Sequence, residues 1–115
     1  MTSLVACLGK EKGTVSHVAE IVKQGEWDKV FLIAESKVDG FSDNAEFILI
    51  NPNNFLSELI EDIKNKLDGK IADTEVALNI ISGSGKQHMA VLSALLKLGV
   101  GIRLVALTKQ GIKEM

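Results

Sequence analysis

The sequence predicts an α/β domain built on a mainly parallel sheet of five strands, with about three helices. Two observations carry this. Short aliphatic runs recur along the chain, apolar at consecutive rather than alternate positions, as in strands covered on both faces. Between most of them lie segments whose apolar residues return every three or four positions, the period of a helix with one buried side. A length of 115 residues suits one domain, 1–115, with a core of its own.

Residues 3–8 read as the first strand. The loop Gly9-Lys10-Glu11-Lys12-Gly13 follows. Thr14 or Ser16 then caps a helix in which Val15, Val18, Ala19 and Val22 share a face, and Gly25 marks its end. Residues 29–35, with Val30-Phe31-Leu32-Ile33-Ala34 at their centre, are the second strand, and residues 47–51 the third. The polar segment 36–46 contains Gly40 and is short for a helical crossover. The third strand therefore either pairs as a hairpin or joins through an irregular loop.

Pro52-Asn53-Asn54 turns into the clearest helix. Phe55, Leu56, Leu59, Ile60, Ile63 and Leu67 form one stripe, Glu58, Glu61, Asp62 and Lys66 the other side, and Gly69 ends it. Residues 75–81 are the fourth strand. A third helix runs from Gln87 to Leu98, stopped by Gly99, and residues 102–107 are the fifth strand. Residues 108–115 carry no pattern long enough to assign.

Composition narrows the function. Hydrophobic residues at 46% and charged residues at 24% give a folded globular chain. A net charge of −2 supplies no overall positive field for duplex DNA, RNA or an anionic membrane. Aromatics at 4% leave few rings on which bases can stack. Without an apolar run of membrane-spanning length or a signal-peptide pattern, the expectation is a cytoplasmic protein with no membrane partner. Cys7 is the lone cysteine and lies in an apolar run, so it reads as an inert buried thiol. His17 and His88 lack the accompanying ligands of a metal site, and no metal or cofactor is expected. Asn79, polar inside an apolar strand, must find partners for its amide.

In an open parallel sheet, ligands bind beyond the carboxyl ends of the strands. On that rim the turn Ser82-Gly83-Ser84-Gly85-Lys86 is the best candidate site. Its glycines admit close approach, and the helix that follows aims unpaired N–H groups and a positive dipole end at the same spot. Two hydroxyls and the Lys86 charge suit phosphate. The plainer reading is a turn that needs glycine for geometry alone. Two stock motifs are excluded: a P-loop would need glycine at Ile80 and Ser or Thr at Gln87, and a dinucleotide fingerprint would need glycine at His88.

The third helix carries a second message. Met89, Ala90, Val91, Leu92, Ala94, Leu95, Leu96 and Leu98 nearly surround it, leaving Ser93 and Lys97 as a narrow polar strip. An apolar face left over on such a helix predicts a homodimer.

Taken together, these segments resemble the CRISPR-associated Rossmann-fold (CARF) sensor domains over most of the chain. The likeness lies in Leu4-Val5-Ala6-Cys7-Leu8-Gly9, in Trp27-Asp28-Lys29-Val30-Phe31-Leu32-Ile33, and most sharply in Asn79-Ile80-Ile81-Ser82-Gly83-Ser84-Gly85-Lys86. The aliphatic helix and Ile102-Arg103-Leu104-Val105 complete it. The resemblance implies a Rossmann-like fold and a dimer that binds a cyclic oligoadenylate, or another nucleotide, at Gly9, Lys10, Ser82, Gly83, Ser84, Gly85 and Lys86. Three functions stay open on this reading. One is a sensor. The second is a metal-independent phosphodiesterase that opens such a ring, with Lys86, Ser82 and Ser84 as candidate catalytic residues. The third is an interaction protein that keeps the fold without the ligand.

Overall fold

Six strands and three helices follow one another in the computed structural model, which describes residues 2–115. They are β1 (Thr2–Cys7), α1 (Lys12–Gln24), β2 (Trp27–Ala34), β3 (Ala45–Leu49), α2 (Leu56–Leu67), β4 (Glu75–Asn79), α3 (Gly85–Leu98), β5 (Gly101–Thr108) and β6 (Gly111–Glu114). They make one sheet in the order β3-β2-β1-β4-β5-β6. Every pair is parallel except β5 with β6. At its centre Val5 lies opposite Phe31 on one side and Leu78 on the other. The strand order reverses at β1 and β4, where the chain crosses from one half of the sheet to the other.

Alternation along each strand divides the core between two faces. Leu4, Ala6, Val30, Leu32 and Ala77 point to the face covered by α1 through Val18 and Ile21. Val5, Cys7, Phe31, Ile33, Ile48, Val76 and Leu78 point to the other, covered by α2 and α3. Those two helices also pack on each other. Both faces of β1 are sealed, which is why it is apolar at every position from Leu4 to Cys7.

β3 lies parallel to β2, with Val30 opposite Ala45 and Ala34 opposite Leu49, so it is not the second arm of a hairpin. Its connection, residues 35–44, is irregular. Val38 and Phe41 in this loop pack against the α1-side core, and the Phe41 ring meets Phe47 edge-on at 6.1 Å. The loop thus covers ground that a crossover helix would cover.

Four details depart from the sequence expectations. The sheet has six strands rather than five. The last is a four-residue arm held by local bonds: Thr108 Oγ1 donates to Gly111 O at 2.8 Å and accepts from Gln110 N at 3.2 Å. Helix α1 begins at Lys12, with Glu11 as an N-cap that makes no side-chain cap bond, so neither Thr14 nor Ser16 caps it. Ile21, outside the expected stripe, is fully buried. Phe55 is the N-cap of α2 in extended conformation and is 77% exposed, outside the core. Among the described residues no helix is long and apolar enough to cross a membrane.

Candidate functional site

The loops after β1, β3 and β4 converge at the carboxyl end of the sheet around a cleft of about 330 Å³. Gly9, Lys10, Glu11 and Thr14 line one side, and Gly83, Ser84, Lys86 and Gln87 the other. Ile50, Pro52, Leu59 and Ile81 give it an apolar wall. It lies at the carboxyl end of the strands where the strand order reverses, the place at which open α/β sheets take ligands.

Two glycines let those loops touch. A Cβ on Gly9 would lie 2.8 Å from Gly83 N and 2.9 Å from Gly83 Cα. Gly83 itself has φ of 99°, a conformation that favours glycine. Gly85 has neither constraint: its φ is not positive, and nothing lies within 4 Å of where its Cβ would stand.

Ser82 holds the two loops together from beneath. It is buried, and its Oγ accepts from Gly9 N at 2.8 Å and lies 3.0 Å from Thr14 Oγ1. Its hydroxyl therefore serves the scaffold. Ser84 is the N-cap of α3, with Oγ accepting from Gln87 N at 3.1 Å. Ser84-x-x-Gln87 is the sequence of a capping box, but the return bond from the glutamine side chain to Ser84 N is not made. Instead Gln87 Nε2 donates to Ile33 O at 2.7 Å and faces Leu8 O at 3.5 Å, tying α3 to the ends of β1 and β2. The N–H groups of Ser84, Gly85 and Lys86 consequently have no acceptor among the described residues.

The charges are less free than the sequence implies. Lys86 Nζ donates to Pro52 O at 2.9 Å and also to Asn54 O, which fastens the loop after β3 to the first turn of α3. Lys10 lies 3.9 Å from Glu35 and is largely exposed. Both lysines still border the cleft.

The remaining polar residues singled out in the sequence brace the surroundings. His88 Nε2 lies 2.8 Å from Ser82 O, an acceptor, so that nitrogen carries the hydrogen. His17 Nε2 accepts from Leu107 N at 3.2 Å, joining α1 to β5. Asn79 donates to Val105 O at 2.9 Å, bridging β4 and β5 just past their last paired residues, Leu78 and Leu104. Arg103, at the opposite end of the sheet, bonds Glu75 at 2.8 Å, and this bond raises its pKa further. Burial pushes the Cys7 thiol up to about 12, leaving it unreactive.

Of the sequence-predicted residues, Gly9, Lys10, Gly83, Ser84 and Lys86 line the cleft, Ser82 lies under it, and Gly85 adjoins it. Gln87, Thr14, Glu11 and Glu35 were missed. Only Gln87 had a signal, the Ser-x-x-Gln spacing.

Fold and cleft together define an α/β protein with a ligand-sized crevice at the switch point of its sheet. No protein-family model matches the sequence, and no curated protein matches it.

Proposed function

We propose that this chain is a Rossmann-like nucleotide-binding domain, akin to the CARF sensors, that binds a cyclic oligoadenylate or a related phosphodiester as a homodimer. One observation carries the proposal: three N–H groups without acceptors, at Ser84, Gly85 and Lys86, at the positive end of a 14-residue helix beside the cleft. Such an arrangement stabilises an anion through directed hydrogen bonds and the helix dipole. The strand order 3-2-1-4-5 supports it, because nucleotides in doubly wound sheets lie at this reversal. The homodimer is supported by the outer side of α3, where Met89 and Leu96 are 59% and 67% exposed, and by Leu104 on β5, 45% exposed.

Titration calorimetry with a panel of cyclic and linear oligoadenylates tests the proposal. Saturable binding that weakens with salt is expected. Chromatography of the ligand after incubation separates a sensor, which returns it intact, from a phosphodiesterase, which returns a linear product. Absence of binding across the panel refutes the nucleotide reading.

A further inference from the structure

We infer that His17 is an acid-released latch: the neutral imidazole holds the β5–β6 hairpin to α1, and a further proton on it lets the hairpin go. The latch stands whatever the cleft binds. β5 runs beside β4 only as far as Leu104, opposite Leu78, and from Val105 onward its partner is β6. Past that point two side chains tie the hairpin back to the domain. Asn79 Nδ2 donates to Val105 O at 2.9 Å, and His17 Nε2 accepts from Leu107 N at 3.2 Å. Val105, Leu107 and Ile112 rest half-buried against the core on the α1 side, so the hairpin lies on that helix with its apolar side down.

The two ties answer acid differently. The asparagine amide keeps its hydrogens at every ordinary pH. An imidazole that accepts at Nε2 carries its one hydrogen on Nδ1, and a second proton must go to Nε2. A donor then faces the Leu107 N–H donor, so attraction turns to repulsion and the amide loses its acceptor. The charged groups around His17 do not offset this. Among the described residues no carboxylate pairs with it. On its own helix Glu20 accepts from Gln24 Nε2 at 3.1 Å. Across from it, strand alternation puts Arg103 and Glu114 on the α1 side of the hairpin, where they lie 3.7 Å from each other. Lys109, in the hairpin turn, is a like charge. The strands beneath α1 contribute Leu4, Ala6, Val30 and Leu32, and the loop after β2 adds Val38 and Phe41, all apolar.

Hydrogen exchange of the intact protein, followed by NMR at about pH 8 and about pH 5, spans the interval in which histidines ordinarily change charge. The readout is the protection factor, which removes the intrinsic pH dependence of exchange. Ile81 N–H is the internal control, because it donates to Asn79 Oδ1 at 3.3 Å and that acceptor does not titrate. Leu107 protection is expected to fall about tenfold or more at the acid end, the effect of one lost hydrogen bond, while Ile81 holds. In His17→Gln, whose amide oxygen accepts at either pH, Leu107 should hold too. Unchanged Leu107 protection in the parent overturns the latch, and so does a fall shared equally by Ile81. A fall that persists in a folded His17→Gln assigns it to another group and also overturns it. Imidazole nitrogen shifts that place the hydrogen on Nε2 at the alkaline end do the same. Where the variant does not fold, Leu107 against Ile81 in the parent still decides.

Discussion

Gly9→Ala tests the closeness of the two glycine loops most directly. The new Cβ would lie 2.8 Å from Gly83 N and 2.9 Å from Gly83 Cα. Both are backbone atoms, so no side chain can rotate away and the loop itself must move. Overpacking of this kind costs about 1–3 kcal/mol. Replacing glycine also restricts the unfolded chain, which returns about 0.4–1 kcal/mol. At the middle of both ranges the net loss is roughly 1.3 kcal/mol, and at this chain length each kcal/mol moves Tm by about 3–6 °C. Thermal unfolding followed by circular dichroism should put Gly9→Ala about 4–8 °C below the parent. Gly85→Ala is the matched control: it restricts the unfolded chain equally but meets nothing within 4 Å. It should melt at or slightly above the parent temperature. An unchanged Gly9→Ala, or equal losses in the two variants, would refute the account of why Gly9 is a glycine.

Lys86→Ala should raise the dissociation constant of a bound oligoadenylate about ten- to hundredfold, the effect of a charged hydrogen bond, whereas Lys97→Ala leaves it unchanged. Calorimetry giving the reverse order misplaces the site. Alkaline stability should report Cys7: its pKa is pushed from 9.0 to about 12 by burial, so above pH 9 the unfolded chain loses the proton while the folded chain keeps it. Stability then falls as pH rises from 9 toward 12, by about 4 kcal/mol at most, and urea unfolding of Cys7→Ala should lack that decline. Light scattering should give twice the 12.4 kDa monomer mass for the parent and the monomer mass for Leu96→Glu, which places a charge on the exposed side of α3. A parent that stays monomeric at high concentration removes the homodimer.

What the sequence revealed followed from burial on two faces. β1 and β2 were legible because residues such as Val5 and Leu4 are each sealed, on opposite sides of the sheet, so no polar position interrupts the runs Leu4–Leu8 and Val30–Ala34. β6 was illegible because hydrogen bonds around Thr108 and Gly111 set it, rather than an apolar pattern. Phe55 fell in phase with the α2 stripe, yet it precedes the first helical residue and its extended backbone turns it outward. At the site, the glycine turn announced the place, since the positive φ of residue 83 is a backbone shape that favours glycine. The roles of its neighbours were harder. Ser82 reads as a ligand group in one dimension, but its partners Gly9 and Thr14 are 73 and 68 residues away in the chain. Gln87 reaches 54 residues back to Ile33 in the same manner.

Those long-range ties have a kinetic consequence. Ser82 pins the loop after β1, Gln87 pins the ends of β1 and β2, and Lys86 pins the loop after β3. The entropy of ordering these loops is therefore lost when the chain folds, not when a ligand arrives. On the nucleotide reading, association would then need no conformational step and would fall in the ordinary range of about 10⁵–10⁷ M⁻¹s⁻¹. Related ligands would enter the cleft at nearly the same rate and differ in how long each one stays.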